Sequence, residues 1–243
     1  MNNTWKDAWV IFKRDLVLDR LYLIWNVISM IYVGAGIAIM AWATSSNNSG
    51  EYLNPLQDFM LFVIIPITGF YFSRRSFNYL KEDSYTRMLQ YYRTLPIPAI
   101  TVMRGRIIQL LTATLFNGLI FYPTYYLITG FTSDWLSDVG RMLTFALTWT
   151  GYLLFVNGIY IYFEFLSRGR GYFWVSALSA LAVGMLAFLI HWFDGNMLVY
   201  TLEQSKRYSL LSPLMWGMLI LGGSSLALFC KMTLSKLGKR DLI

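Results

Sequence analysis

Apolar residues run along this chain in long blocks. They show neither the 3.6-residue rhythm of an amphipathic helix nor the two-residue alternation of a half-buried strand. Six blocks stand out, at 22–43, 56–72, 107–129, 142–165, 172–193 and 210–231. Each is close to the roughly 20 residues that carry a helix across a hydrocarbon core of about 30 Å. Lipid offers the backbone no hydrogen-bond partners, so self-satisfied helices are the expected form. A β-barrel would show alternating segments of about ten residues, and none is visible. The second block is short and broken by Pro66, and the third has Pro123 near its end. The pattern predicts an all-α, polytopic membrane protein, with 1–243 forming a single transmembrane domain of six spans.

The segments between the blocks differ from one another. In residues 1–20, Trp5, Ala8, Trp9, Phe12 and Leu16 share one helical face, with Lys6, Lys13 and Arg14 off it. Such a helix lies in a membrane interface, with Trp5, Trp9 and Phe12 toward the acyl chains and the cations toward phosphates. Residues 73–106 form a connector too long for a simple hairpin. Its sequence NYLKEDSYTRMLQ predicts a helix over 78–90, which ends at Leu95-Pro96-Ile97 because a residue before proline disfavours the helical region. On the other side, 44–55 is a Ser, Asn and Gly-rich link and 131–140 is short. Residues 194–213 contain Met197 to Arg207, which reads as a short helix at the membrane surface.

Composition agrees with the blocks. Of 243 residues, 56% are hydrophobic and only 14% charged, against about 25% charged in a soluble domain. Of the 20 Lys and Arg, 17 fall before the first block, between the second and third, between the fourth and fifth, or after the sixth. Only Arg141, Lys206 and Arg207 lie on the other side. The positive-inside rule then puts both termini in the cytoplasm and the chain in the plasma membrane. The net charge of +7 reads as topology plus attraction to anionic headgroups. No soluble domain is left over to bind nucleic acid. Ala41-Trp42-Ala43 resembles a signal-peptide cleavage site, but its apolar run exceeds the usual 7–15 residues, so the first block is expected to remain as a span.

Little in the chain suggests catalysis. The one histidine, His191, lies near the outer end of the fifth block, too few for a haem or zinc site and too near water for a buried base. The single cysteine, Cys230, forms no internal disulfide and reads as a small apolar helix residue. No phosphate-binding loop of the form G-x-x-x-x-G-K-[ST] occurs. The central parts of the blocks carry no charge. Glu164, near the inner end of the fourth, is expected to pair with Arg168 four residues on. Coupled pumps usually hold carboxylates at mid-membrane, so energy is expected from outside this subunit. Uncharged polar residues Asn26, Thr68, Asn117, Thr148 and Asn157 are candidates for lining a substrate pathway, or for bonding between helices. Ser176, Ala180 and Gly184 put small residues on one face of the fifth block, where another helix can approach closely.

Taken together, the acidic pair Glu82 and Asp83, the Leu95-Pro96-Ile97 turn, Gly105-Arg106 before the next span, the amphipathic first helix and six spans resemble the ABC-2 type permeases of ABC transporters, type V exporter-like. The likeness covers nearly the whole chain in layout, and Ser84-Tyr85-Thr86-Arg87 departs from the family's usual second acid and glycine. It implies a permease without its own ATPase activity, a second permease copy or homologue, and a separate cytoplasmic ATPase dimer that carries ATP and Mg. It also implies that the connector holds a coupling helix, with Lys81, Glu82, Asp83, Arg87, Leu95 and Pro96 as the candidate docking set. The cargo would be hydrophobic or amphipathic, such as a lipid, a drug or a membrane-active peptide. Two other classes remain open. A non-transporting binding or immunity protein would leave the long connector unexplained, and a channel should show polar rings along one helix face.

Overall fold

The computed structural model describes residues 4–46, 54–95, 97–130 and 138–238. Within them the chain forms ten α-helices: α1 Thr4–Leu18, α2 Tyr22–Ser46, α3 Asn54–Ile67, α4 Arg74–Glu82, α5 Ser84–Thr94, α6 Ala99–Gly130, α7 Val139–Leu166, α8 Gly169–Trp192, α9 Met197–Tyr208 and α10 Pro213–Leu237. The all-α expectation therefore holds. Five of the helices, α2, α6, α7, α8 and α10, are long and apolar enough to cross a membrane, the pattern of a multi-pass membrane protein.

The second predicted span differs. Instead of a helix over 56–72, α3 covers 14 residues, about 21 Å at 1.5 Å per residue, well short of a 30 Å core. Pro66 has no amide hydrogen to give Phe62 O, and directly after it the chain tightens and leaves the helix. Gly69 N bonds to Pro66 O and Phe70 N to Ile67 O, before residues 70–73 run without helix. The count of six spanning helices becomes five long helices and one short, broken one. In contrast, α6 is longer than predicted. It runs unbroken for 32 residues, so Gly105-Arg106 lies within this long helix rather than before it.

The bundle has two distinguishable ends. At one, α1, α4 and α5 meet the start of α6, the α7–α8 turn and the end of α10. Arg14 donates to Tyr92, Arg74 N to Asp19, and Arg93 to the carbonyl of Leu237. At the other, α9 caps the bundle. The buried Asp58 of α3 accepts from the amides of Met197 and Leu198 at 2.7 and 3.0 Å, and Asn196 accepts from Val199 N at 2.9 Å. A carboxylate on the unsatisfied amides of a helix N-terminus is favourable in charge as well as in hydrogen bonding. The helix expected near Met197 to Arg207 is thus present and anchored.

Helices α7 and α10 form the closest packed pair. A side chain on Gly151 would collide with the backbone of Met218, and one on Gly222 with Gly151 O. Small residues let two backbones approach, which is the main source of helix affinity where apolar burial gives no advantage. Sequence reading singled out the small face of α8 instead. There Gly184 lies against Phe59 of α3, so that face has a neighbour within the chain.

Candidate functional site

The connector consists of two short helices with a single residue between them. Ser73 caps α4 by accepting from Ser76 N at 3.2 Å. Asp83 then takes a left-handed conformation, φ 47 and ψ 47, which an Asp tolerates better than most residues. Its Oδ1 accepts from the Thr86 hydroxyl at 3.0 Å and from the first amide of α8, Gly169 N, at 2.8 Å. Position 169 must be a glycine, because a Cβ there would overlap Tyr79 O. Beside this latch Tyr79, Tyr85 and Tyr172 stack edge to face. Burial, and then the Glu164 carboxylate, push the Tyr85 phenol up from its ordinary value.

The predicted docking residues fall into two groups. Lys81, Glu82 and Arg87 are exposed, with Glu82 and Arg87 3.7 Å apart. Asp83 faces inward and holds the connector to α8. Leu95 ends α5 in an extended conformation, ψ 150, as expected before proline. Pro96 lies outside the described residues.

The polar residues proposed to line a pathway also have clear positions. Four of the five converge on the break after α3. Proline leaves the carbonyl four residues back without its helical donor, and here Phe62 O accepts instead from the Tyr152 hydroxyl at 3.0 Å. Asn157 Nδ2 donates to Pro66 O at 3.0 Å. Asn117 Nδ2 donates to both Thr68 O and Phe70 O, at 2.9 and 2.8 Å. Asn26 Oδ1 accepts from Phe72 N at 3.2 Å. Asn26, Asn117 and Asn157 are fully buried, and Thr68 belongs to the broken segment itself. Buried backbone groups left without partners are costly in lipid, and these side chains replace the missing helical bonds one by one. Thr148 is apart, donating to Thr144 O in its own helix.

Helix α1 uses its apolar face differently from the interfacial expectation. Trp5 and Trp9 are half exposed, but Ala8 and Phe12 are buried on protein. Ala8 O lies 3.5 Å from where a Cβ on Gly105 would stand, and Phe12 packs near Tyr71. Arg104 sits over the Trp5 ring, 4.7 Å from its centre, and also bonds to Thr4. The glycine opens a seat on α6, so part of the predicted membrane face becomes a helix–helix contact.

One pair went unread in the sequence. Glu164 binds Arg106 of α6, with Arg106 Nε at 3.0 and 3.1 Å from the two carboxylate oxygens and both side chains almost fully buried. The expected partner was Arg168, four residues on, which lies past the end of α7 and is exposed. A lone acid at the end of an apolar block does ask for a cation at its own depth; Arg106, on a different helix, meets that need only once the fold is formed. Among the described residues no group of three or more His, Cys, Asp or Glu is placed to hold a metal. No family model, curated protein or solved structure matches this chain.

Proposed function

We infer that the chain is the membrane-spanning permease subunit of an ABC-type exporter. In this reading it pairs with a second permease copy and takes its energy from a separate cytoplasmic ATPase dimer, which holds ATP and Mg. Its own part is to bind and pass a hydrophobic or amphipathic cargo. The observation that carries this reading is the mounting of the connector. Asp83 ties the α4–α5 junction to the first amide of α8, and Arg93 ties the far end of α5 to the last turn of α10. A push on the exposed Lys81, Glu82 and Arg87 edge would therefore reach two long helices directly.

In the same reading the segment 54–73 is the sixth crossing. Its Asp58 is fixed to α9 at one end of the bundle, and at the other its Tyr71 lies near Phe12 of α1 and its Phe72 near Phe77 of α4. Irregular backbone at membrane depth is tolerated where protein surrounds it, and broken spans of this kind are common in transporters. Both termini, the connector and the α7–α8 turn then lie on the cytoplasmic side.

Co-expression with neighbouring genes and purification by a tag on this chain tests the reading. An ATPase should be recovered with the wild type and largely lost with Lys81→Ala/Glu82→Ala, while the variant's own thermal unfolding stays unchanged. A chain that purifies with no nucleotide-hydrolysing partner overturns it.

A further inference from the structure

At the end of the bundle that carries the connector, a cavity of about 70 Å³ lies between α1, α5, the start of α6 and the segment 70–73. At about 10–15 Å³ for each water-sized site, it has the room of a small polar headgroup rather than of a whole amphiphile. Much of its wall is apolar or aromatic, with Phe12, Leu16 and Leu23 on one side and Phe165 on another. Arg106 of α6 also lines it and is 7% exposed. Its Nε is held by both oxygens of Glu164, and its guanidinium carbon lies 4.9 Å from the centre of the Phe70 ring. Its Nη1 is shut off from bulk solvent and has no hydrogen-bond partner. A buried donor left unmade is costly, and more so when it is charged.

The charged side chains around the cavity are already engaged by the protein. Arg14 pairs with Asp15 at 3.3 Å and lies over the Tyr92 ring. The backbone amide of Arg74 donates to Asp19 at 3.2 Å. Glu164 and Arg106 neutralise each other. An ammonium would therefore find the carboxylates taken. A phosphate would meet Asp15, Asp19 and Glu164 beside two guanidiniums that those acids already occupy. Either headgroup would be buried without a counter-charge of its own, which is costly. What remains unmet is one donor, so the partner that fits is an uncharged oxygen acceptor. Gln109, half-buried one turn further along α6, adds an amide that can donate and accept, which suits a second oxygen on the same headgroup. Leu23 stands in the first turn of α2, one of the long apolar helices, and Leu18, Leu21 and Ile24 beside it are exposed. The start of a span is the depth at which a bilayer passes from hydrocarbon to its interfacial groups. We propose that this cavity binds the headgroup of a neutral glycerol lipid, with a hydroxyl or ester carbonyl oxygen accepting from Arg106 Nη1, a second oxygen at Gln109, and the acyl chain leaving past the half-buried Leu16 and Leu23. The site stands on the cavity alone and does not depend on an ATPase partner.

The test is calorimetric titration of the purified chain in phosphatidylcholine nanodiscs with 1-monodecanoylglycerol, with empty nanodiscs subtracted. Saturable binding near one per chain is expected, whereas decyl phosphate and decylamine should only partition as they do into empty discs. Arg106→Met/Glu164→Met removes the donor without stranding a buried charge, a replacement that folds tolerate well. It should weaken binding by about tenfold or more, the loss of one charge-assisted hydrogen bond. Leu16→Trp keeps the donor, obstructs the exit of the chain, and should weaken binding comparably with thermal unfolding retained. Wild-type heats equal to those of empty discs would mean that water alone fills the cavity and would overturn the proposal. Equal saturable binding of either charged amphiphile, or a folded variant of either kind binding like the wild type, would overturn it as well. Saturable binding of the glycerol lipid by a chain that recovers no ATPase would leave this site standing while removing the permease reading.

Discussion

Helices α3 and α8 lie against each other, with Phe59 of one beside Gly184 of the other, and both come from strongly apolar blocks. They are held in opposite ways. The long hydrophobic window of α8 is only 6% buried, against 44% for α7. Its backbone runs as one continuous 24-residue helix, with outside partners only at its ends, such as Asp83 on the Gly169 amide, and the Tyr160–Ser179 hydroxyl contact is a minor side-chain tie to α7. In contrast, α3 is 14 residues long, and its continuation is stabilised by side chains from α2, α6 and α7. The lesson concerns where irregular backbone can exist. A helix with little around it must bond to itself, since lipid cannot supply partners. A segment enclosed by other helices can break, provided each freed carbonyl meets a donor.

This contrast predicts graded effects. The largest is expected for Asn117→Leu, which removes the donor of two carbonyls, the buried one of Thr68 and the partly buried one of Phe70. At about 1–3 kcal/mol for each group left unsatisfied, unfolding in mild detergent should be easier by roughly 2–6 kcal/mol. Next comes Gly69→Ala. An added Cβ would meet Leu110 and Asn157 at 2.8 and 2.9 Å, and overpacking of this kind costs about 1–3 kcal/mol. Pairing it with Asn157→Ala, which makes room, should restore only part of the loss because Pro66 O then keeps the Gly69 amide alone. A smaller loss, about 1 kcal/mol, is expected for Tyr152→Phe, measured by the same unfolding. The smallest concerns α8: Leu181→Ala, at a 59% exposed position, should change the chain's stability by no more than about 0.5 kcal/mol. An α8 effect as large as that of Asn117→Leu would erase the distinction between the two helices.

The sequence carried part of this plainly. Long apolar blocks predict α2, α6, α7, α8 and α10 because length and composition alone make a membrane-worthy helix. Pro66 marked the weak point of the second block, and Leu95 before Pro96 marked the end of α5. Less visible were contacts that need two distant segments. Asn26, Asn117 and Asn157 were noticed as polar residues in apolar blocks, but their common target, the backbone at 66–72, emerges only when three helices surround it. Asp83 resembled a surface acid until Gly169 was brought beside it. Glu164 was paired with its sequence neighbour because a one-dimensional rule favours i to i+4, whereas the fold delivers Arg106 from 58 positions away. The glycine seam of α7 and α10 was missed for the same reason: a lone Gly151 or Gly222 says nothing about its partner.

The most direct measurement asks whether residues 54–73 carry the chain across the membrane. In a Cys230→Ser background, Lys6→Cys, Lys81→Cys and Glu203→Cys would each be treated with a membrane-impermeant maleimide on intact cells and after permeabilisation. The account predicts that Glu203→Cys is labelled on intact cells, whereas Lys6→Cys and Lys81→Cys both require permeabilisation. Labelling that places Lys6→Cys and Lys81→Cys on opposite sides would contradict it, because α2 alone would then cross between them and the broken segment would return to the side it came from.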